Sequence, residues 1–200
     1  FAITLGQTVA GLALGNAMII KPAEQTPAVG QLVAQLLREG IEQGLKDRGG
    51  APDQAKKDAA QIVQFLPGPG ATVGDALVKS EYIDFIAFTG SKEKADLIMA
   101  NAAAHPSKRN GVKLVVAETG SKNPMIIDET ADLDVAVEAI LEGAFQFNGQ
   151  RCSATSRVIV VESMKERLVE RLIEGAKSML MGDPRDPATQ MGAQINQASL

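Results

Sequence analysis

The 200-residue chain is 45% hydrophobic and 22% charged, with a net charge of −4 at neutral pH. That balance describes an ordinary globular polypeptide, long enough to bury a core as one domain or parts of two, and its mild acidity offers no electrostatic footprint for nucleic acid. The single cysteine excludes an intramolecular disulfide and suits a reducing compartment.

The first twenty residues, FAITLGQTVAGLALGNAMII, carry no charged side chain. Gln7 and Asn16 interrupt the apolar run, three glycines lower its helix propensity, and no basic lead-in marks a signal peptide. The stretch reads as a buried helix, a turn near Gly15-Asn16 and a strand rather than a membrane span. Gly11 and Gly15 suit close helix–sheet packing. With no Met at position 1 and no polar lead-in, the chain is expected to be a piece of a longer protein.

Thr26 as N-cap and Pro27 at the first helical position mark a helix start. Val29, Leu32, Val33, Leu36, Leu37 and Ile41 follow at helical spacing. Residues 44–61 are polar and read as a surface excursion or a short solvated helix. "IVQFL" closed by "PGPG" is a strand and turn, with a short helix near 71–79. "YIDFIAF" (82–88) is apolar on both faces except Asp84, as in a parallel strand covered on both sides. Thr89-Gly90-Ser91 opens a helix to about residue 104. The basic stretch "SKRNGVK" (107–113) reads as a solvated loop.

Strands at 112–118 and 124–128 come next, then a helix capped by Asp132 and a loop carrying the cysteine. A strand "RVIVVE" leads to a last helix, started by Ser163 and Glu166 as a capping-box pair. Strand and helix alternate throughout, which predicts an α/β fold with a mostly parallel sheet.

In such sheets ligands sit at the carboxyl ends of strands. Four strand ends run into Gly-rich or polar turns: 21–26, 67–74, 89–91 and 118–122. "FTGS" before a helix offers unpaired N–H groups and a hydroxyl, a natural anion site. "GPGATVG" is one residue longer than the usual dinucleotide fingerprint, and a plain loop explains it equally well. Lys21 and Glu24 fit either exposed bystanders or partners of ribose hydroxyls. Cys152, in "FNGQRCSATSR", fits either a small buried hydrophobe or a nucleophile.

"KPAEQTP", "FLPGPG…VG", "FTGS", "ETGSKNP", "GQRCSA" and "MGDPRDPATQMG" occur in that order. Together they resemble the aldehyde dehydrogenase superfamily over essentially the whole chain. Glu118 and Cys152 stand 34 positions apart, a spacing similar to that between the family's catalytic glutamate and cysteine.

The resemblance implies a Rossmann-like cofactor domain, here residues 1–118, leading into an α/β catalytic domain, residues 119–200. It implies Cys152 as nucleophile and Glu118 as general base. Lys21 and Glu24 match contacts to the adenosine ribose, Gly70 and Gly74 the turn beside the adenosine, and Ser91 a pyrophosphate contact. The cofactor implied is NAD, with NADP as the other option, and no metal is implied. "AETGSKN" and "GQRCSA" resemble the branch that oxidises glutamate γ-semialdehyde, the open form of pyrroline-5-carboxylate, in proline breakdown.

Another semialdehyde or a non-catalytic nucleotide-binding homologue are the alternatives. Family members that pass the acyl group to coenzyme A lack the matching glutamate, so Glu118 favours hydrolysis. A homo-oligomer in the full-length protein is implied, in the cytoplasm or, in a eukaryote, the mitochondrial matrix. The family's oxyanion asparagine and nicotinamide-ribose glutamate are expected beyond the two ends, leaving the isolated segment inactive. Ser121 stands where relatives carry a second glycine, so a less relaxed turn is expected after Glu118. "KEKAD" after "FTGS" replaces a Val-Gly pair, so different helix packing is expected there. His105 has no matching role.

Overall fold

The computed structural model describes residues 1–199. The chain divides into two compact units, Phe1–Glu118 and Thr119–Leu200. In the first, α1 (Ala2–Ala13), β1 (Met18–Ile20), α2 (Pro27–Asp47), α3 (Pro52–Ile62) and β2 (Val63–Phe65) come first. A π-turn (Gly70–Gly74) follows, then α4 (Asp75–Lys79), β3 (Phe85–Gly90), α5 (Lys92–Ala104) and β4 (Leu114–Thr119). Parallel strands β1 and β2 pair with Met18 opposite Val63 and Ile20 opposite Phe65; β3 pairs with β4.

Ile20, Val33, Ala34 and Val63 form the buried core of this unit, with Leu5, Leu12, Leu37, Ile41 and Phe65 packed around them. Val33, Leu37 and Ile41 of the α2 stripe join that core, whereas Val29, Leu32 and Leu36 of the same stripe are exposed. Thr26 and Pro27 begin α2, although the threonine side chain makes no cap bond. The polar stretch 44–61 splits: α2 runs on to Asp47, and α3 buries Ala55 and Ala59 against it.

Three expectations change. α1 is a helix but not a buried one: Thr8 is its one buried residue, while Phe1, Ile3 and Val9 are exposed. The glycine reading holds for Gly11, where an added Cβ would overlap Met18 Sδ, whereas Gly15 instead supplies a turn with φ +82°. β3 is not covered on both sides within this unit; Phe85 is 47% exposed.

The basic loop is not wholly solvated either. Lys113 is buried, and its ammonium donates to the Val78 carbonyl at 2.5 Å. Burial holds its pKa below the usual lysine range. Ser107 is buried beside it in sequence, donating to the Asp84 carboxylate, while the Asn110 amide donates to Ser107 Oγ at 2.9 Å. The loop is therefore pinned from within.

Gly30 shows how closely α2 approaches the strand end. An added Cβ there would stand 2.7 Å from Pro22 Cβ and 3.2 Å from Phe65 Cε2. Neither a proline ring nor a packed phenylalanine can yield easily. Gly30→Ala is therefore expected to destabilise by about 1–3 kcal/mol, overriding the roughly 1 kcal/mol that alanine gains in a helix. Thermal denaturation checks it; an unchanged or raised midpoint would contradict this packing.

In the second unit, β5 (Asn123–Ile127), α6 (Leu133–Phe145), β6 (Thr155–Val160) and α7 (Glu162–Ser178) form a β-α-β unit with a following helix. β5 and β6 are parallel, with a register shift between Asn123 and Pro124. Asp132 caps α6 as predicted, its carboxylate accepting from the amides of Asp134 and Val135. The capping box at Ser163 does not form: α7 starts at Glu162 with Val161 as N-cap, placing Ser163 inside the helix.

One face of this sheet is core. Met125, Ile127, Val158 and Val160 pack with Leu133, Ala136, Ile140, Met164 and Leu168 of α6 and α7. On the alternate face Ile126 is 73% and Ile159 54% exposed, as the two-residue strand period requires when only one face is covered.

Candidate active site

Four of the candidate residues come together at the carboxyl ends of β1 and β2. Chain leaving β1 carries Lys21, whose ammonium donates to the carbonyls of Pro22 at 2.8 Å and Gly68 at 3.2 Å. Glu24 Oε1 accepts from the Gly70 amide at 2.6 Å. Gly74 lies where an added Cβ would touch the Lys21 aliphatic chain at 3.6 Å. The turn after β2 is thus tied to the segment after β1 by one ammonium and one carboxylate.

This chemistry fits an adenosine ribose. A carboxylate accepts from a vicinal diol, an ammonium donates to it, and two glycines keep the adjoining turn open to a planar ring. Glu24 is exposed and Lys21 half-buried, so both remain reachable. Each of the pair makes a long-range bond to the turn after β2.

Ser91 stands at a different strand end. It is the N-cap of α5, its hydroxyl accepting from the Lys94 amide at 3.3 Å. Thr89, just before it, accepts from Gln7 Nε2 at 2.9 Å, which ties the end of β3 to α1. The "KEKAD" departure builds an ordinary first turn: Lys92 pairs with Asp96 at 2.5 Å, and Ala95 is buried. His105 caps the far end of α5, its Nδ1 2.9 Å from the Asn101 carbonyl.

Glu118 is the last residue of the first unit and is exposed near the end of β4. Strand alternation places it on the same face as Leu114 and Val116, which are also exposed. Ser121 has no positive φ; among the described residues only Phe147 and Asn148 do so without being glycine. The turn after Glu118 therefore accepts serine without left-handed strain.

Cys152 belongs to the second unit and is exposed. No residue of this chain buries it. Its loop begins with Phe147, Asn148 and Gly149, all left-handed, with φ of 52°, 58° and 66°. Asparagine tolerates this backbone; a bulky phenylalanine rarely does, and such strain persists only where neighbours enforce it.

Those neighbours are visible. Asn148 Nδ2 donates to the Gly192 carbonyl at 3.0 Å, and the Arg151 guanidinium stacks 3.8 Å above the Phe147 ring. The Gln150 amide closes the turn on the Phe147 carbonyl at 3.0 Å. An open cleft of about 810 Å³ adjoins this turn, lined by Leu141, Phe147, Asn148, Met179 and Pro184 among others. Cys152 does not line it, so the cleft is not the thiol's own pocket.

On its other side the cysteine loop is held by Asn123. Its Nδ2 donates to the carbonyls of Cys152 at 2.8 Å and Ala154 at 3.1 Å. Sequence reading quoted Asn123 only as part of a motif. The available signal was its position before Pro124, a residue that cannot donate to a neighbouring strand.

Among the described residues, no group of three or more His, Cys, Asp or Glu side chains could hold a metal ion, and no helix is long and apolar enough to cross a membrane.

Residues 1–200 match the model of the aldehyde dehydrogenase family. The chain belongs to the aldehyde dehydrogenase family. The 1-pyrroline-5-carboxylate dehydrogenase of Geobacillus thermodenitrificans is 39% identical over 199 residues, covering 100% of this chain and 36% of that protein. That of Bacillus subtilis, named 1-pyrroline-5-carboxylate dehydrogenase 2, is 36% identical over 200 residues with the same coverage. The chain thus spans about a third of the length of these aldehyde dehydrogenase relatives.

Among solved structures, a Thermus 1-pyrroline-5-carboxylate dehydrogenase with bound NAD superposes with a TM-score of 0.81 at 34% identity, over 98% of this chain and 35% of that one. Proline utilization A from Bdellovibrio bacteriovorus, inactivated by N-propargylglycine, gives 0.78 at 37% identity, over 96% of this chain and 18% of that one. The fold is that of aldehyde dehydrogenases, a mixed α/β architecture with parallel strands.

Proposed function

We propose that the chain is part of an NAD-dependent dehydrogenase that oxidises L-glutamate γ-semialdehyde to glutamate, the second oxidation of proline breakdown. The observation that carries this reading is an exposed thiol in a clamped loop after α6, in a chain that also keeps Glu118 at the end of β4. Relatives named 1-pyrroline-5-carboxylate dehydrogenase, aligned over the whole chain, support the substrate. The Thermus neighbour with bound NAD supports the cofactor. The full-length protein is a cytoplasmic homo-oligomer in this reading.

In this mechanism Cys152 attacks as the thiolate, the nucleophilic form of the side chain. Its Sγ bonds to the aldehyde carbon, and the carbonyl π electrons move to oxygen. The oxyanion then favours loss of hydride from the same carbon. NAD would supply the acceptor for that hydride, and Lys21, Glu24, the glycines at 70 and 74, and Ser91 are the residues that would hold it. A thioester to Cys152 remains. Glu118 removes a proton from water, hydroxide adds to the thioester carbonyl, and the C–S bond breaks to release the thiolate and the carboxylic acid; the acid and Glu118 each then lose a proton to solvent. Detection of an acyl adduct on Cys152 during turnover of the full-length protein with glutamate γ-semialdehyde tests the reading. A turnover without such an adduct contradicts it.

Glu24 sets a cofactor preference. Its carboxylate accepts from a ribose 2′-hydroxyl but repels a 2′-phosphate, by roughly 1 kcal/mol or more near a protein surface. That corresponds to about fivefold or more in affinity, and Lys21 offsets part of it. NAD should therefore be preferred over NADP without excluding it, and Glu24→Gln should bring the two closer. Cofactor constants for the full-length protein check this; equal or better use of NADP by the unaltered protein contradicts it.

A further inference from the structure

We propose that Asn123 is a positioning residue for the nucleophile, its carboxamide aligning the backbone that carries Cys152 Sγ. The inference rests on Cys152 being the attacking group.

The start of β5 explains why a side chain is needed there. Pro124 has no N–H to give to β6, and the β5–β6 register shifts between Asn123 and Pro124. A parallel ladder would ordinarily tie the incoming strand through evenly spaced amides. The irregularity falls at the start of β6, and just ahead of it the Asn123 carboxamide reaches back to the cysteine loop. Both of its partners are carbonyl oxygens, of Cys152 at 2.8 Å and Ala154 at 3.1 Å. Only the amide nitrogen can therefore face them, and it uses both of its hydrogens.

The two bonds bracket the peptides from Cys152 to Ala154. Upstream, the loop is anchored by the left-handed turn and by the Arg151 carbonyl, which accepts from the Ala154 amide at 3.1 Å. Between these anchors the cysteine itself is exposed. Asn123 is thus the one described side chain that hydrogen-bonds to the Cys152 backbone from another element. Without it the thiol remains chemically intact but samples directions unsuited to attack. A displacement of about 1 Å at a reacting centre can cost roughly 100-fold in rate.

The test uses the full-length protein with saturating NAD and glutamate γ-semialdehyde. Stopped-flow absorbance gives the NADH burst, whose amplitude counts competent sites and whose rate constant reports formation of the thioester. Asn123→Leu keeps the size but removes the donors. It is expected to slow the burst about 10- to 100-fold while the dissociation constant for NAD changes less than about twofold. Asn123→Ser, whose shorter hydroxyl can serve at most one carbonyl, is expected to slow it by less, and it decides the matter should the leucine variant not fold.

A purely structural role would lower the melting temperature and the amplitude but leave the rate constant of the surviving sites alone. An unchanged rate constant in the soluble variants overturns the proposal. Cys152→Ala, run in parallel, separates the two levels. Oxidation surviving in that variant overturns the nucleophile and this inference together, whereas a dead Cys152→Ala beside a fast Asn123→Leu overturns only the role of Asn123.

Discussion

Cys152→Ala in the full-length protein is expected to abolish aldehyde oxidation, by on the order of 10⁴-fold or more, as removal of a covalent nucleophile does elsewhere. NAD affinity should stay within about twofold, because Lys21, Glu24 and Ser91 all lie in the other unit. The exposure of the thiol makes the substitution easy to interpret: no packed core is opened by the loss of Sγ, so the variant should fold with an unchanged melting temperature. Steady-state NADH production and calorimetric NAD binding on the same preparation give both halves of the result. Oxidation persisting near the unaltered rate would remove Cys152 from the mechanism.

Glu118→Gln separates the two halves of the reaction. A carboxylate is required only once the thioester has formed and water must lose a proton, so hydride departure should proceed while hydrolysis slows by about 10²–10⁴-fold. Rapid mixing should then give a burst of NADH close to one per competent site, followed by a slow steady phase. The exposed position of Glu118 at a strand end makes misfolding an unlikely confounder, since glutamine keeps the shape and the strand ladder. Loss of the burst along with the steady rate would assign Glu118 to the first chemical step as well.

Local chemistry was the most legible layer. Asp132 announces α6 because a short carboxylate before an apolar period satisfies the orphan amides of the first turn, and it does so here. Ser163 misled for a neighbouring reason: β6 and α7 are joined so tightly that Val161 takes the cap position, leaving no room for the serine outside the helix. Lys113 was misread because its burial depends on the carbonyl of Val78, 35 residues away, which no local pattern encodes.

For the site, ordered motifs pointed to Cys152, Glu118 and the ribose pair through resemblance, while composition left each ambiguous. The Gly70 amide donates to Glu24, a tie between the two strand ends that no local pattern encodes. Asn123 was hidden because its two acceptors lie on the following strand, 29 and 31 residues on. A one-sided burial pattern was likewise beyond reach: "YIDFIAF" announces coverage on both faces, but nothing described in its own unit covers Phe85.

The core of the second unit has a consequence for how the protein is made. All of its buried members, from Ile127 to Leu168, arise from one contiguous stretch that closes a single β-α-β crossover. Contacts this local form quickly, so the stretch can collapse while later chain is still being synthesised, as domains of nascent proteins do. The nascent unit would then show Ile126 and Ile159 to the surroundings. The two isoleucines stand opposite one another on β5 and β6, so the early-folding unit would carry a paired apolar strip on its open face.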